Sequence, residues 1–190
     1  MCPIKQQPAQ HGFTMIELLI TMTILGILLA TGIPSMTIWM ANSRIRATAE
    51  SIANGMQLAR SEAIRRNVNI EFRLSDTQGS WTISSGSGCT FTSPTLIQDA
   101  PSTTATITVN RFSNVQATTA TTAQVRIFGP NGWQACPATA QFVSLSIDST
   151  ALSATDSRDL RVVAPALGRA RVCDPYSGIQ SGDPRFCPSS

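Results

Sequence analysis

The sequence predicts an α+β protein, with a long N-terminal helix packed on a mostly antiparallel β-sheet head. Three observations carry this. Residues 13–33 form an apolar run broken by one charge, Glu17. Beyond it, apolar residues recur at helical spacing as far as Ala63. From residue 68 the apolar period falls to two, and short alternating segments divided by turn signals fill much of the remaining chain.

Composition fits this architecture. The 190 residues are 42% apolar and 13% charged, too apolar for a disordered chain and too polar for a multi-span membrane protein. That length allows one domain of ordinary size plus an appendage. A formal net charge of +3 imposes no global field that forces a nucleic-acid reading, although every basic residue except Lys5 is an arginine. The single histidine, His11, precedes the apolar run. A chain that loses its first dozen residues has no histidine, which excludes Ser-His-Asp and Cys-His nucleophiles and every His-bearing zinc site.

Residues 1–12 are polar and weakly basic. The next 21 residues, 13–33, would span about 31 Å as a helix, enough to cross a bilayer core. No secretory cleavage site stands out after this run, which passes through Pro34 into a longer helical pattern, so the apolar helix is expected to stay on the mature protein. A carboxylate inside a bilayer costs on the order of 3 kcal/mol or more and needs a partner. The alternative for Glu17, four residues into the run, is snorkelling to the interface.

Ile45, Ala49, Ile52, Met56, Ala59 and Ala63 then form one apolar stripe, with Glu50, Asn54, Gln57, Ser61 and Arg65 opposite. A helix from Phe13 to about Arg66 would be ~80 Å long, with a bend expected at Pro34. Glu62 stands three and four residues before Arg65 and Arg66, the spacing of helix-surface ion pairs.

Val68, Ile70, Phe72 and Leu74 alternate with polar residues and predict the first strand. A turn at Gln78–Ser80 precedes a strand at Trp81–Ile83, and Ser84–Gly88 reads as a loop. Further strands are expected at Ala105–Phe112, Gln124–Phe128, Gln141–Ile147, Leu160–Ala164 and Leu167–Cys173. Gly129-Pro130-Asn131-Gly132 is a strong turn. Ser/Thr-rich stretches at 101–106 and 117–122 read as exposed loops or edges.

Cys2 lies ahead of the apolar run, which leaves Cys89, Cys136, Cys173 and Cys187. An even number in an exported domain suggests two disulfides, with three possible connectivities. Cys173–Cys187 is favoured because it closes a short Pro/Gly-rich tail, leaving Cys89–Cys136. Closing a loop of about 15 residues is worth roughly 3 kcal/mol in the chain-entropy model. No two cysteines have zinc-knuckle spacing, so no metal is expected.

Gly12-Phe13-Thr14-Met15-Ile16-Glu17-Leu18-Leu19 resembles the prepilin cleavage motif of type IV pilins and type II secretion pseudopilins. The resemblance implies removal of leader 1–12 by a prepilin peptidase, which cuts between Gly12 and Phe13, and N-methylation of Phe13. It places Glu17 at the fifth mature position, where its partner would be the N-terminal ammonium of a neighbouring subunit. Residues 13–41 would form the transmembrane and filament-core half of the helix. Residues 42–190 would form the periplasmic or extracellular domain, including the amphipathic half 42–66. The protein would cross the inner membrane once, among its lipids, before assembling into a pilus with other pilins or pseudopilins. The leader is less basic than many, with only Lys5 and His11.

Gln57–Leu74, Phe128–Gly132 and Leu167–Cys173 resemble the helix end, mid-domain turn and C-terminal strand of the FimT/FimU/GspH group. Region 86–124 departs most from that group. Arg169 and Arg171 are two apart, so on a strand they would share one face, with Ala170 and Val172 towards the core. Gly168 permits close approach of another backbone. Arg161 lies on the preceding strand and Arg185 in the tail that Cys187 would tether. Clustered guanidinium groups suit bidentate phosphate contacts.

The run Gly-Arg-Ala-Arg at 168–171 matches the Gly-Arg-x-Arg motif by which FimT-type minor pilins bind DNA in natural transformation. The implied function is a minor pilin that binds DNA electrostatically, without base readout, through two to four phosphates and with a salt slope of about −2 to −4. Tyr176 and Phe186 would either stack on bases or pack under the tail.

A charged edge strand that discourages aggregation is the plainer reading of the arginines, and Asp174 and Asp183 dilute the patch. The alternative function is a GspH-like minor pseudopilin of a type II secretion system with no DNA binding. Asp156 and Asp159 sit in a polar loop expected to face water, so no catalytic site, cofactor or small-molecule substrate is expected.

Overall fold

The computed structural model describes residues 12–86, 88–89, 91, 94–101, 105–113, 124–136, 141–167, 169–176 and 178–187, with side chains described for all of these except 31–34. The chain divides into two compact units, Met1–Thr37 and Ile38–Ser190. Helix α1 covers Met15–Arg66.

Thr14 starts α1: its Oγ1 accepts the Glu17 N–H at 3.3 Å, an N-cap, and Glu17 adds an anion to the first turn. In this first unit the described apolar side chains are exposed, among them Phe13, Leu18, Ile20, Leu25 and Leu29. Thr21 and Thr23 turn their hydroxyls inward, donating to the Leu18 and Ile20 carbonyls at 3.0 and 2.8 Å. That satisfies their polar groups within the helix. Among the described residues no single helix is long and apolar enough to cross a membrane; Met15–Ala30 and Ser35–Arg66 meet the length and composition test together. The helix stops at Asn67, whose φ of 56° is the left-handed conformation that asparagine tolerates at a helix end.

In the second unit the predicted stripe is buried: Ile45, Ala49, Ile52, Met56, Ala59 and Ala63 are all inaccessible to solvent. Among the described residues eight strands follow the helix: β1 (Asn69–Leu74), β2 (Trp81–Gly86), β3 (Thr95–Ala100), β4 (Ile107–Phe112), β5 (Val125–Phe128), β6 (Ser144–Ser149), β7 (Leu160–Val163) and β8 (Arg171–Cys173). They form two antiparallel four-stranded sheets, ordered β3-β2-β1-β5 and β4-β6-β7-β8.

Period-two alternation sets which side chains reach the helix. In the first sheet Phe72 faces across to Ile83 and Leu74 to Trp81; in the second, Leu145 pairs with Val162 and Val162 with Val172. All belong to, or pack on, the same core cluster as the helix stripe. Gly55 permits close approach here, because a Cβ would lie 2.8 Å from Trp81 and 2.9 Å from Phe72.

The α+β expectation holds, with several local corrections. β3 falls in the region the sequence left unassigned. It is an edge strand with few buried side chains, so it carries little apolar alternation. β2 extends through Ser84–Gly86, which the sequence reads as a loop. The expected strand from Gln141 begins only at Ser144, because Gln141 serves the β5 edge instead. Its Oε1 accepts the Ile127 N–H at 2.8 Å and its Nε2 donates to the Ala135 carbonyl at 2.7 Å. The expected strand Leu167–Cys173 contracts to Arg171–Cys173. The Ser/Thr-rich loop at 117–122, and 102–104 of the other, lie outside the described residues.

Candidate nucleic-acid interface and assembly terminus

Gly12 and Phe13 precede α1. A Cβ at Gly12 would meet no atom within 4 Å, and Phe13 is exposed. Glu17 is exposed in the first helical turn.

At the other end of the chain, β8 is held from both sides. Ala170 is buried in the main core. Cys173 joins Cys187 and, with Val163 and Val143, forms a small second cluster. The tail returns beside the strand, where the Asp174 N–H donates to the Arg185 carbonyl at 2.8 Å. The other disulfide joins Cys89 to Cys136.

This frame sets the exposure of the four arginines. Arg171 lies opposite Val163 in the β7–β8 register and is exposed. Arg169 is exposed as well, but stands before β8 rather than on it. Neither guanidinium has a hydrogen bond or ion pair among the described residues. Gly168 lies outside the described residues.

The remaining two differ from the expected open cluster. Arg161 is half-buried with its guanidinium 5.3 Å from the Phe112 ring centroid, a cation–π arrangement, and burial lowers its pKa. Arg185 forms a fork with Asp183, Nε to Oδ1 at 3.1 Å and Nη2 to Oδ2 at 2.8 Å. The hydrogen bonds from Arg185 hold the Asp183 carboxyl down to about 2. Arg185 also lines a different hollow, with Arg46, Glu50, Arg158 and Asp174. Tyr176 is exposed, and Phe186 is half-buried and bridged to Asp174.

Arg169 instead opens onto α1. It lines a cleft of about 540 Å³ with Asn54, Gln57, Leu58, Arg60, Ser61 and Ile64. The Gln57 amide donates to the Ala170 carbonyl at 3.3 Å, tying helix to strand beside Arg169. The lining has two cations, Arg60 and Arg169, and no carboxylate. Sequence reading missed Arg60. Its signal was present: Gln57, Arg60, Ser61 and Ile64 fall at i, i+3, i+4 and i+7, a second helical face beside the core stripe.

The acidic loop is less open than expected. Asp156 is exposed and accepts the Ser153 hydroxyl at 2.7 Å. Asp159 is half-buried and shares the Ser157 residue with Asp148; burial, then the neighbouring Asp148, raises its pKa. Among the described residues no group of three or more His, Cys, Asp or Glu could hold a metal.

Residues 48–168 match the family model of the type II transport protein GspH, and residues 7–33 match the prokaryotic N-terminal methylation motif. Among solved structures the chain is similar to the minor pseudopilin EpsH from the type 2 secretion system of Vibrio cholerae, at 16% identity and a TM-score of 0.49, over 70% of this chain and 98% of that one. It is also similar to the type IV minor pilin FimU of Pseudomonas aeruginosa, at 18% identity and a TM-score of 0.46, over 72% of this chain and 92% of that one. A search of curated proteins gives no match. The methylation motif and the N-terminal helix fit a membrane-anchored pilin. The family match covers most of the chain, behind an N-terminal methylation motif: this protein belongs to the GspH family of type II transport proteins.

Proposed function

We propose that the protein is a minor pilin of a type IV pilus that binds DNA during uptake, with Arg169 and Arg171 as its phosphate contacts. One observation carries this reading: both guanidiniums are exposed and, among the described residues, free of carboxylate partners, while the residues beside them, Ala170 and Cys173, are locked into the two cores. Their positions are fixed by the fold but their charge is unspent. Arg161 and Arg185 are secondary, since an aromatic ring and a carboxylate already engage them. In this reading a prepilin peptidase cuts between Gly12 and Phe13, Phe13 is N-methylated, and residues 13–41 hold the subunit in the inner membrane before assembly.

The test uses the processed full-length protein in detergent, with fluorescence anisotropy on a duplex. Arg169→Ala with Arg171→Ala is expected to weaken binding at least tenfold and flatten the salt slope by about two, since each lost phosphate contact removes ~0.9. Unchanged affinity in the double variant removes the site.

The second reading is a pseudopilin of a type II secretion system without a nucleic-acid role. The matching family model, that of a type II transport protein, favours it. A parent protein that binds no DNA, in a strain whose secretion fails when the gene is deleted, would support that reading.

A further inference from the structure

Three segments converge beside Arg169. The turn Gly129–Gln134 is seated on the last turns of α1 through Gly132, which has a φ of +74°; a Cβ there would lie 2.7 Å from Ile64 Cδ1 and 3.1 Å from Arg60 Nε. The next anchor is Gln134, whose N–H donates to the Ala166 carbonyl at 3.0 Å, three residues before Arg169. Trp133 lies between these anchors. Its N–H donates to Asn131 Oδ1 at 3.0 Å and its carbonyl accepts the Gly129 N–H at 2.9 Å. The backbone of Trp133 is therefore fixed, yet the residue is 48% exposed.

A large aromatic side chain at the surface loses stabilisation that burial would supply, which makes an exposed one informative when it directly follows Gly132, the residue packed against Arg60. Arg60 and Arg169 line a cleft with amide and hydroxyl side chains and no acid. At about 540 Å³ the cleft is in the ~300–1,000 Å³ range that holds small molecules, large enough for a nucleotide-sized unit. Cations for the backbone and an aromatic surface for the base are the elements by which proteins hold single strands.

We infer that this composite surface takes single-stranded nucleic acid: Arg60 and Arg169 hold successive phosphates, and Trp133 stacks on a base. The inference rests on the proposed DNA binding and specifies its substrate. It adds two residues, Arg60 and Trp133, that lie outside the Gly-Arg-Ala-Arg run.

The experiment uses the full-length chain in detergent and two fluorescent probes, an oligo(dT) of about 12 nucleotides and a duplex of similar length. Trp133→Ala is expected to weaken oligo(dT) binding about tenfold and duplex binding by less than about twofold, with Trp133→Phe restoring most of the loss. Arg60→Ala is expected to weaken oligo(dT) binding and flatten its salt slope by ~0.7, with Arg60→Lys restoring the slope. Recovery in the conservative variants separates lost binding from lost folding.

Trp133→Ala binding oligo(dT) as the parent does would overturn the inference, as would an unchanged slope in Arg60→Ala. So would a Trp133→Ala variant that binds normally but fails to enter filaments, which would assign the surface to a neighbouring subunit. Duplex binding unchanged by loss of Arg169 and Arg171, alongside the expected Trp133 effect, would overturn the strand-edge proposal alone. A parent that binds neither probe overturns both.

Discussion

Arg126 lies directly across from Phe72 in the β1–β5 register, fully buried, with one hydrogen bond from Nη1 to the Phe142 carbonyl at 3.1 Å. Among the described residues its Nε and Nη2 have no hydrogen-bond partner. Burial of this cation pulls its pKa down to about 10. A buried charge with incomplete partners is a stability cost, and replacing it by an apolar side chain of similar length is often neutral or stabilising by about 1–4 kcal/mol. Arg126→Met is therefore expected to melt at or above the parent temperature, whereas Arg126→Ala leaves a cavity and melts below Arg126→Met.

The sign of the pH effect follows from linkage. The folded pKa of Arg126 is below its unfolded value, so the unfolded state binds more protons above about pH 10. The burial penalty is complete below that pH and fades above it. Denaturant titrations of parent and Arg126→Met should show a stability gap that narrows as pH rises through about 10. A pH-independent gap would mean that packing, not charge, separates them.

Gly55 sets two principles against each other. Alanine is a better helix former than glycine by ~1 kcal/mol. A Cβ at 55, however, would press on Trp81 and Phe72, both buried, at 2.8–2.9 Å. Overpacking of this kind typically costs ~1–3 kcal/mol. Gly55→Ala is expected to lower the melting temperature, while Gly26→Ala, where a Cβ meets nothing within 4 Å, should not. Equal behaviour of the two variants would show that the helix can shift away from the sheet at no cost.

The elements that sequence alone made legible are those where one residue type serves one period. The helix stripe and β1 read clearly because Ile45, Ala49, Ile52, Met56, Ala59 and Ala63, and Ile70, Phe72 and Leu74, are all apolar and buried. β3 was missed because Thr95, Leu96, Gln98 and Asp99 are exposed and give no alternation. Glu71, on the polar side of the β1 alternation, is nonetheless buried beside Arg73, whose Nε lies 2.6 Å from its carboxylate. At the candidate site, spacing indicated that Arg169 and Arg171 would be exposed around a buried Ala170. Spacing does not encode which arginines spend their charge locally, because the partners of Arg161 and Arg185 lie on another strand and within the tail. Arg60 and Trp133 were invisible as a pair because their link, the packing of Gly132 against Arg60, joins residues far apart in the chain.

The Cys173–Cys187 bond closes a segment of 14 residues. In the chain-entropy model a loop of this size is worth roughly 3 kcal/mol. Replacing both cysteines by alanine is expected to cost up to about that much and to release the tail locally. Hydrogen exchange at the Asp174 amide, now bonded to the Arg185 carbonyl at 2.8 Å, should accelerate well beyond exchange in β6. Uniform acceleration across the domain would place the bond in the global core instead. The Asp183–Arg185 pair belongs to the same tail. Its carboxyl pKa is lowered to about 2, so its contribution is present above the ordinary aspartate value and fades as pH falls towards 2.

Glu17 occupies the first turn of α1, and the Thr14 hydroxyl caps that turn. Two roles are thereby separable. As an anion at a helix N-terminus, Glu17 is worth about 0.3–1 kcal/mol, a local effect that a lost Thr14 cap would equal or exceed. As the proposed counter-charge for a neighbour's amino terminus, it acts only when subunits stack in a low-dielectric filament, where an unpaired ammonium costs far more. Glu17→Gln preserves size and helix propensity while removing the charge. The variant is expected to insert in the membrane and to be cleaved after Gly12, yet to be depleted at least tenfold from sheared filaments. Thr14→Ala is expected to enter filaments at near the parent level. Immunoblots of sheared fractions against membrane fractions read both outcomes. Parent-like incorporation of Glu17→Gln would confine Glu17 to its helix-end role, and joint depletion of both variants would trace the defect to the start of the helix rather than to the missing charge.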